Sequence, residues 1–400
     1  MVHHRHQTSL ETILNFAGPQ ALPADQRAPA RRKFYAIINH CRAAETLNPD
    51  GSYSRSLLIR YTYEYARSEL SQDTFLRAFF AIMDLDEDLD LTQEGDQLRE
   101  KLADFAEFLM ENFFIPRWLS RLTYRLLSGT HPSMSVTVKA TGQRTAQPSP
   151  AHLSVIQRVQ GGAHEYLPSP DRISVLRGIC LMRDHHRCVI SRQFDEQEAM
   201  ERFKRHDENA AQDDEGNPLA GQSFEFLEVA HIIPHSLTKP DADGQLSDYK
   251  KAALAVLNMF DCDVSHIISG VDIDRPFNAI SLTRGLHTNF GNFLIFFEPV
   301  PGQNHTYRIG KFMPAFIRPE IPVTRTLYLV DNKSIEPPSA RLLAIHRAIA
   351  HILHLSGAGD YIDNILRDME GLGAHEGGGT ELGRIIALRL GGWLDGAVSA

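Results

Sequence analysis

"FEFLEVAHIIPHSLTKP", residues Phe224 to Pro240, alternates bulky apolar residues on the way to His231 and then meets Pro234. Alternation with a period of two is strand behaviour, and a proline three residues past His231 ends the strand because it cannot donate to a ladder. A lone histidine at a strand end is most simply a partly buried structural residue. The residues downstream of Pro240 change that reading. An intervening segment, "SDYKKAALAVLNMFDCD", reads as a helix packing Ala253, Val256, Leu257 and Phe260. Next comes "DIDRPFNAISLTRGLHTNFGNFLIFFEP", in which "NAISLT" is a short strand opened by Asn278 and "RGLHTNFG" has the length of a short helix carrying His287. "NFLIFFEP" and "HTYRIGKF", separated by "VPGQN", read as a hairpin.

The rest of the chain sets the frame. With 400 residues there is length for two or three domains and a substantial core, and 42% apolar with 23% charged residues is ordinary for a globular protein rather than a disordered or fibrous one. The start, "MVHHRHQTSL", is basic but has no apolar run after it, and no window approaches the roughly 18 apolar residues of a membrane span. The expectation is an intracellular protein, cytoplasmic or nuclear, with no membrane partner. Cys41, Cys180, Cys188 and Cys262 are too scattered for a disulfide framework and form no C-x-x-C pair, so reduced thiols are expected.

Residues 1–128 read as an N-terminal helical region: Leu98, Leu102, Phe105, Leu109 and Phe113 recur at three- and four-residue steps before Pro116. Within it "DLDEDLDLTQEGD" has the look of a calcium loop, but counting from Asp84 the sixth position is Leu89 and the twelfth is Gly95, so an acidic loop or helix start is expected. Residues 129–170 are rich in Ser, Thr, Pro and Gly and read as a linker. Residues 171–312 hold the strand, strand and helix above, and 313–400 form a C-terminal helical region. There Ser339 is the expected N-cap, Leu342, Ile345, Ile349 and Ile352 share a face, and Gly357 is the stop. His351 and His354 sit three apart on this helix, without acidic or thiol neighbours to complete a metal site. A short helix is expected around Leu382 to Leu390.

A net charge of -9 argues mildly against nucleic-acid binding by the whole surface. Between Arg172 and Arg192, however, five arginines and two histidines face only Asp184. Arg183 and Arg187 are therefore candidates for a phosphate-facing stripe, with a solvated helix face as the equal alternative.

"AHIIP" (Ala230 to Pro234), "NAISL" (Asn278 to Leu282) and "LHTNF" (Leu286 to Phe290) together resemble the HNH endonucleases of the ββα-metal fold, most closely their fungal branch with A-H-I-x-P, N-x-x-x-L and L-H-x-x-F in that order. The upstream "RGICLMRDHHRCVIS" looks like the entry to the same domain. The resemblance implies an α+β fold: a ββα-metal HNH core with a following β-hairpin, flanked by N- and C-terminal helical segments. It implies metal-dependent hydrolysis of DNA phosphodiester bonds, with His231 as general base, Asn278 holding the base and its loop in register, and His287 as a metal ligand. The alternative is a catalytically inactive HNH-like module that binds nucleic acid or protein.

Three features depart from the family pattern. Ala230 stands where many members carry an acidic residue or histidine as second metal ligand. Glu228, on the same strand face, is the nearest replacement, with Asp272 and Asp274 as others. Gly291 stands where bacterial relatives often carry Asp, and a long insertion separates Pro234 from Asn278. The cofactor implied is a divalent metal ion, Mg2+ or Zn2+. No cysteine-rich zinc knuckle is present, so Cys180 and Cys188 are expected in the core.

Overall fold

The structure, a computed structural model, describes residues 21–47, 53–83, 95–115, 150–151, 169–205, 210–238, 245–329 and 335–371. The acidic loop from Asp84, nearly all of the 129–170 linker and the expected helix around Leu382 to Leu390 lie outside these residues. In chain order the helices and strands are α1 (Ala24–Leu47), α2 (Arg55–Glu64), α3 (Glu69–Met83), α4 (Gly95–Leu109), α5 (Ser169–Arg183), β1 (Phe194–Asp195), α6 (Glu196–Arg205), β2 (Phe224–Glu225) and β3 (Leu227–His231). After these come α7 (Asp248–Phe260), α8 (Val264–Ile267), β4 (Ala279–Thr283), α9 (Arg284–Gly291), β5 (Ile295–Pro299), β6 (Thr306–Lys311), β7 (Val323–Thr326), α10 (Ala340–Ser356) and α11 (Ala358–Gly371). This mixture of helices and small sheets is compatible with the α+β class.

The chain divides into two compact units that interleave along the sequence: 1–123 with 236–267 and 348–400, and 124–235 with 268–347. The four blocks expected from composition run consecutively, and these units do not. The reason is visible in the first unit. Its core is aromatic, with Phe34 edge-on to Phe79 at 5.0 Å and Phe75 and Phe105 beside them, all fully buried. Burying one such ring stabilises by about 2–3 kcal/mol. Phe113 stacks at 5.4 Å on Phe260 of α7, Arg67 bonds Asp261 at 3.0 Å, and the Ser71 hydroxyl accepts from the Cys262 amide at 3.1 Å. The insertion between Pro234 and Asn278 thus spends its apolar face among the N-terminal helices.

The second unit carries the motifs. β3 and β4 pair antiparallel with Glu228 opposite Leu282 and His231 opposite Ala279, and α9 follows β4 directly and packs on both strands through buried Leu286 and Phe290. The hairpin expected after α9 is present as β5 and β6, and β7 adds to it as a third strand that the sequence pattern did not reveal. Four residues with alternating exposure are too short a signal to separate from a loop. At α10, Ser339 accepts from the Leu342 amide at 3.4 Å, and Gly357 with φ +75° closes the helix. His346 on α10 lies flat on Phe290 at 3.8 Å and hydrogen-bonds the Phe290 carbonyl at 3.0 Å, which clamps the last turn of α9. Among the described residues no helix is long and apolar enough to cross a membrane.

Candidate active site

His231 ends β3. Its Nε2 lies 3.1 Å from Oδ1 of Asp274, and Nε2 of His235 lies 3.4 Å from the other oxygen of the same carboxylate. Arg172 on α5 adds its Nε at 3.0 Å. Asp274 is wholly buried, on the helical turn Gly270–Asp274 that precedes β4. Burial pushes its carboxyl up, but the hydrogen bonds and charges of His231 and His235 outweigh burial and hold it well below the usual carboxylate range. With the carboxylate ionised, Nε2 of His231 is the nitrogen that donates to Asp274, and Nδ1 is the one Asp274 does not hold.

Asn278 is buried, and its side chain is spent on backbone rather than on the His231 ring. Its Oδ1 accepts from the Ile233 amide at 2.9 Å, and its Nδ2 donates to the carbonyls of Ile233 at 3.0 Å and Ile273 at 2.9 Å, while its own carbonyl accepts from the Ile232 amide at 2.8 Å. One side chain thereby joins the exit of β3 to the turn that carries Asp274. These groups are buried polar atoms that would each cost about 1–3 kcal/mol if left unpaired.

His287 sits on the first turns of α9, three residues after Arg284, so both side chains share a helix face. That face meets Glu228 of β3: Nδ1 of His287 lies 2.9 Å from Oε2, and Nε of Arg284 donates to Oε1 at 3.1 Å. Glu228 is 7% exposed, so little water competes for it. A carboxylate oxygen and an imidazole nitrogen at this separation stand as two adjacent ligands of one small divalent ion do, since each ligand bond is about 2.0–2.2 Å long. The donor set therefore fits such an ion in part, with the remaining coordination left to water or phosphate. Among the described residues no group of three or more His, Cys, Asp and Glu is gathered for a metal, at His351 and His354 or elsewhere.

The arginine stripe needs correction. Arg183 has no exposed surface: its guanidinium takes both oxygens of Asp184 at 2.8 and 2.9 Å and the carbonyls of Pro276 at 2.7 Å and Ala279 at 2.9 Å. It grips the backbone on either side of Asn278 rather than facing phosphate. Arg187 is likewise turned inward, onto Asp213 and Gln222 at 2.6 Å each and the Arg192 carbonyl at 2.9 Å, with its charge 5.2 Å from the Phe194 ring. Burial pushes the Asp213 carboxyl up, yet hydrogen bonds from Asn217, Arg187 and Gln222 bring it down to about 2. Cys180 and Cys188 are buried free thiols, and burial pushes Cys180 up to about 12, away from the thiolate a metal would need.

The structure thus brings His231 to Asp274 and His287 to Glu228, and it uses Asn278 as the tie between strand exit and turn. Asp274 stood in the sequence as a possible metal ligand and is found holding histidines instead. His235 was missed. Its visible signal is its place four residues after His231, immediately past Pro234.

Residues 188–298 match the family model described as HNH endonuclease. The span takes in β3, β4 and α9 with His231, His235, Asp274, Asn278 and His287. No curated protein and no solved structure matches the chain.

Proposed function

We propose that this chain is a metal-dependent endonuclease hydrolysing DNA phosphodiester bonds, in which β3, β4 and α9 form a ββα-metal core and His231 is the general base. One observation carries the reading: inside the span that matches the endonuclease family, His231, Asn278 and His287 fall on a strand end, a strand entry and a helix packed together in that order.

Water attacking phosphorus must lose a proton, and the lone pair on His231 Nδ1 takes it. Asp274 fixes the ring and balances the imidazolium that results. Asn278 keeps the strand exit from drifting, which matters because a small misplacement of a base costs rate steeply. A positioned base contributes about 10²–10⁴-fold, and enzymes commonly reach ~8–23 kcal/mol over the uncatalysed reaction, so charge on the phosphate needs a second source of stabilisation. His287 and Glu228 would hold a divalent ion, Mg2+ or Zn2+, and Arg284 steadies the Glu228 carboxylate. Bound there, the ion supplies Lewis-acid stabilisation of the phosphate oxygens.

The second reading, a catalytically inactive HNH-like module, draws support from the two-donor metal site and the inward-turned arginines. Plasmid nicking with Mg2+, Mn2+ or Zn2+, with and without chelator, separates the two. The wild-type protein is expected to nick only with metal. His231→Ala should keep metal affinity and melting temperature while losing about 10²–10⁴-fold in rate; His287→Ala should lose metal affinity as well. A folded wild-type protein inert with every metal supports the second reading, and a stable His231→Ala protein cutting at the wild-type rate removes His231 from the base role.

A further inference from the structure

Two imidazoles share one buried carboxylate. His231 Nε2 is 3.1 Å from Asp274 Oδ1, His235 Nε2 is 3.4 Å from Oδ2, and the ring centroids are 6.1 Å apart. Both rings turn the same nitrogen inward, so Nδ1 is the unspent nitrogen on each. The carboxylate is sealed from water, while the two histidine side chains keep 18% and 22% of their surface exposed. A lock that served only packing would not need two partly exposed rings on one acid.

Asp274 also accepts from Arg172 at 3.0 Å, so the carboxylate is held from a third side. Two imidazoles anchored through Nε2 on one fixed carboxylate, each with Nδ1 unspent, have the composition of an acid–base pair. We infer that His235 is the general acid of the reaction in which His231 is the base, donating a proton to the leaving 3′ oxygen of the deoxyribose.

This rests on the nuclease reading above. In the step, an O–H bond of water breaks and its proton goes to His231 Nδ1 as the new P–O bond forms. The P–O bond to the leaving oxygen breaks with its electron pair staying on oxygen, and that oxygen takes the proton from His235 Nδ1. One water is consumed and no redox partner is involved. His231 ends with one proton more, taken from water, and His235 with one fewer, given to the leaving oxygen, and exchange with solvent resets both. An alkoxide is a poor leaving group, so its protonation has something to contribute. Asp274 is the positioning residue for both rings.

The test replaces the leaving atom. A duplex oligonucleotide with one bridging 3′-phosphorothiolate leaves as a thiolate, which departs without a proton. His235→Gln is expected to slow cleavage of the all-oxygen duplex by about 10²–10³-fold and of the phosphorothiolate by less than about 5-fold. His231→Ala should slow both alike. Wild-type protein provides a check that needs no variant: cleavage of the oxygen substrate should fall again at alkaline pH, and cleavage of the phosphorothiolate should lack that falling limb. If His235→Gln fails to fold, His235→Asn and the wild-type pH profiles decide. Equal effects of His235→Gln on the two substrates, or identical wild-type profiles, overturn the acid role while leaving the nuclease reading intact. Wild-type protein that cuts neither substrate with Mg2+, Mn2+ or Zn2+ overturns both.

Discussion

Arg183 and Asp184 are neighbours in sequence and form a two-pronged ion pair out of reach of water. Removing a guanidinium from water costs several kcal/mol, recovered here because Asp184 and the Pro276 and Ala279 carbonyls match its planar fork. Arg183→Lys should therefore lower stability by about 3 kcal/mol in urea unfolding, since an ammonium cannot span those acceptors, and Arg183→Glu should fail to fold. Nucleic-acid affinity per folded molecule, and its dependence on salt, should stay as in the wild type. A flattened salt dependence with stability intact would put Arg183 back on a phosphate-facing surface. Counting charges along the chain showed a row of arginines but not which way they face. Their acceptors include groups far downstream, so no local window contains both ends of the interaction. The place of His231 at a strand end, by contrast, was legible because strand alternation, the histidine and the stopping proline fall within a few residues.

Between β3 and β4 the pairing itself is ordinary, and the tie at its end is Asn278. Asn278→Ala strands the Ile233 amide and two carbonyls in a buried place, for an expected loss of about 2–4 kcal/mol. Asn278→Asp keeps an acceptor for the Ile233 amide but points a carboxylate oxygen at two carbonyls, so it should be at least as damaging. Thermal unfolding of both variants checks this, and an Asp variant markedly more stable than the Ala variant would contradict the bonding pattern. Strand, strand, helix and hairpin could be read from the sequence because each has a clear period or a motif. β7 could not, being too short. The place of Asn278 at the entry to β4 was legible, but its grip on the Asp274 turn depends on a fold that brings Ile233 and Ile273 together.

Across the whole chain, composition suggested consecutive blocks, whereas the folded units take segments from distant parts of the sequence. No local pattern says that residues 236–267 spend their apolar side chains with the N-terminal helices, as Phe260 does with Phe113. This interleaving bears on how the active site comes into being in time. Pairing His231 with Ala279 closes a loop of roughly fifty residues, and relative to a four-residue turn that closure costs about 2 kcal/mol more in chain entropy. Non-local pairings of this kind form late in folding, after helices whose contacts are near in sequence. In pulse-labelled hydrogen exchange during refolding, the Ile232 and Ile233 amides held by Asn278 should gain protection after the amides of α2 and α3. Simultaneous protection would mean that the loop is not the kinetic obstacle. If the order holds, His231 is among the last residues to be placed, and on the proposed function a newly made chain passes through a folded stage that does not yet cut.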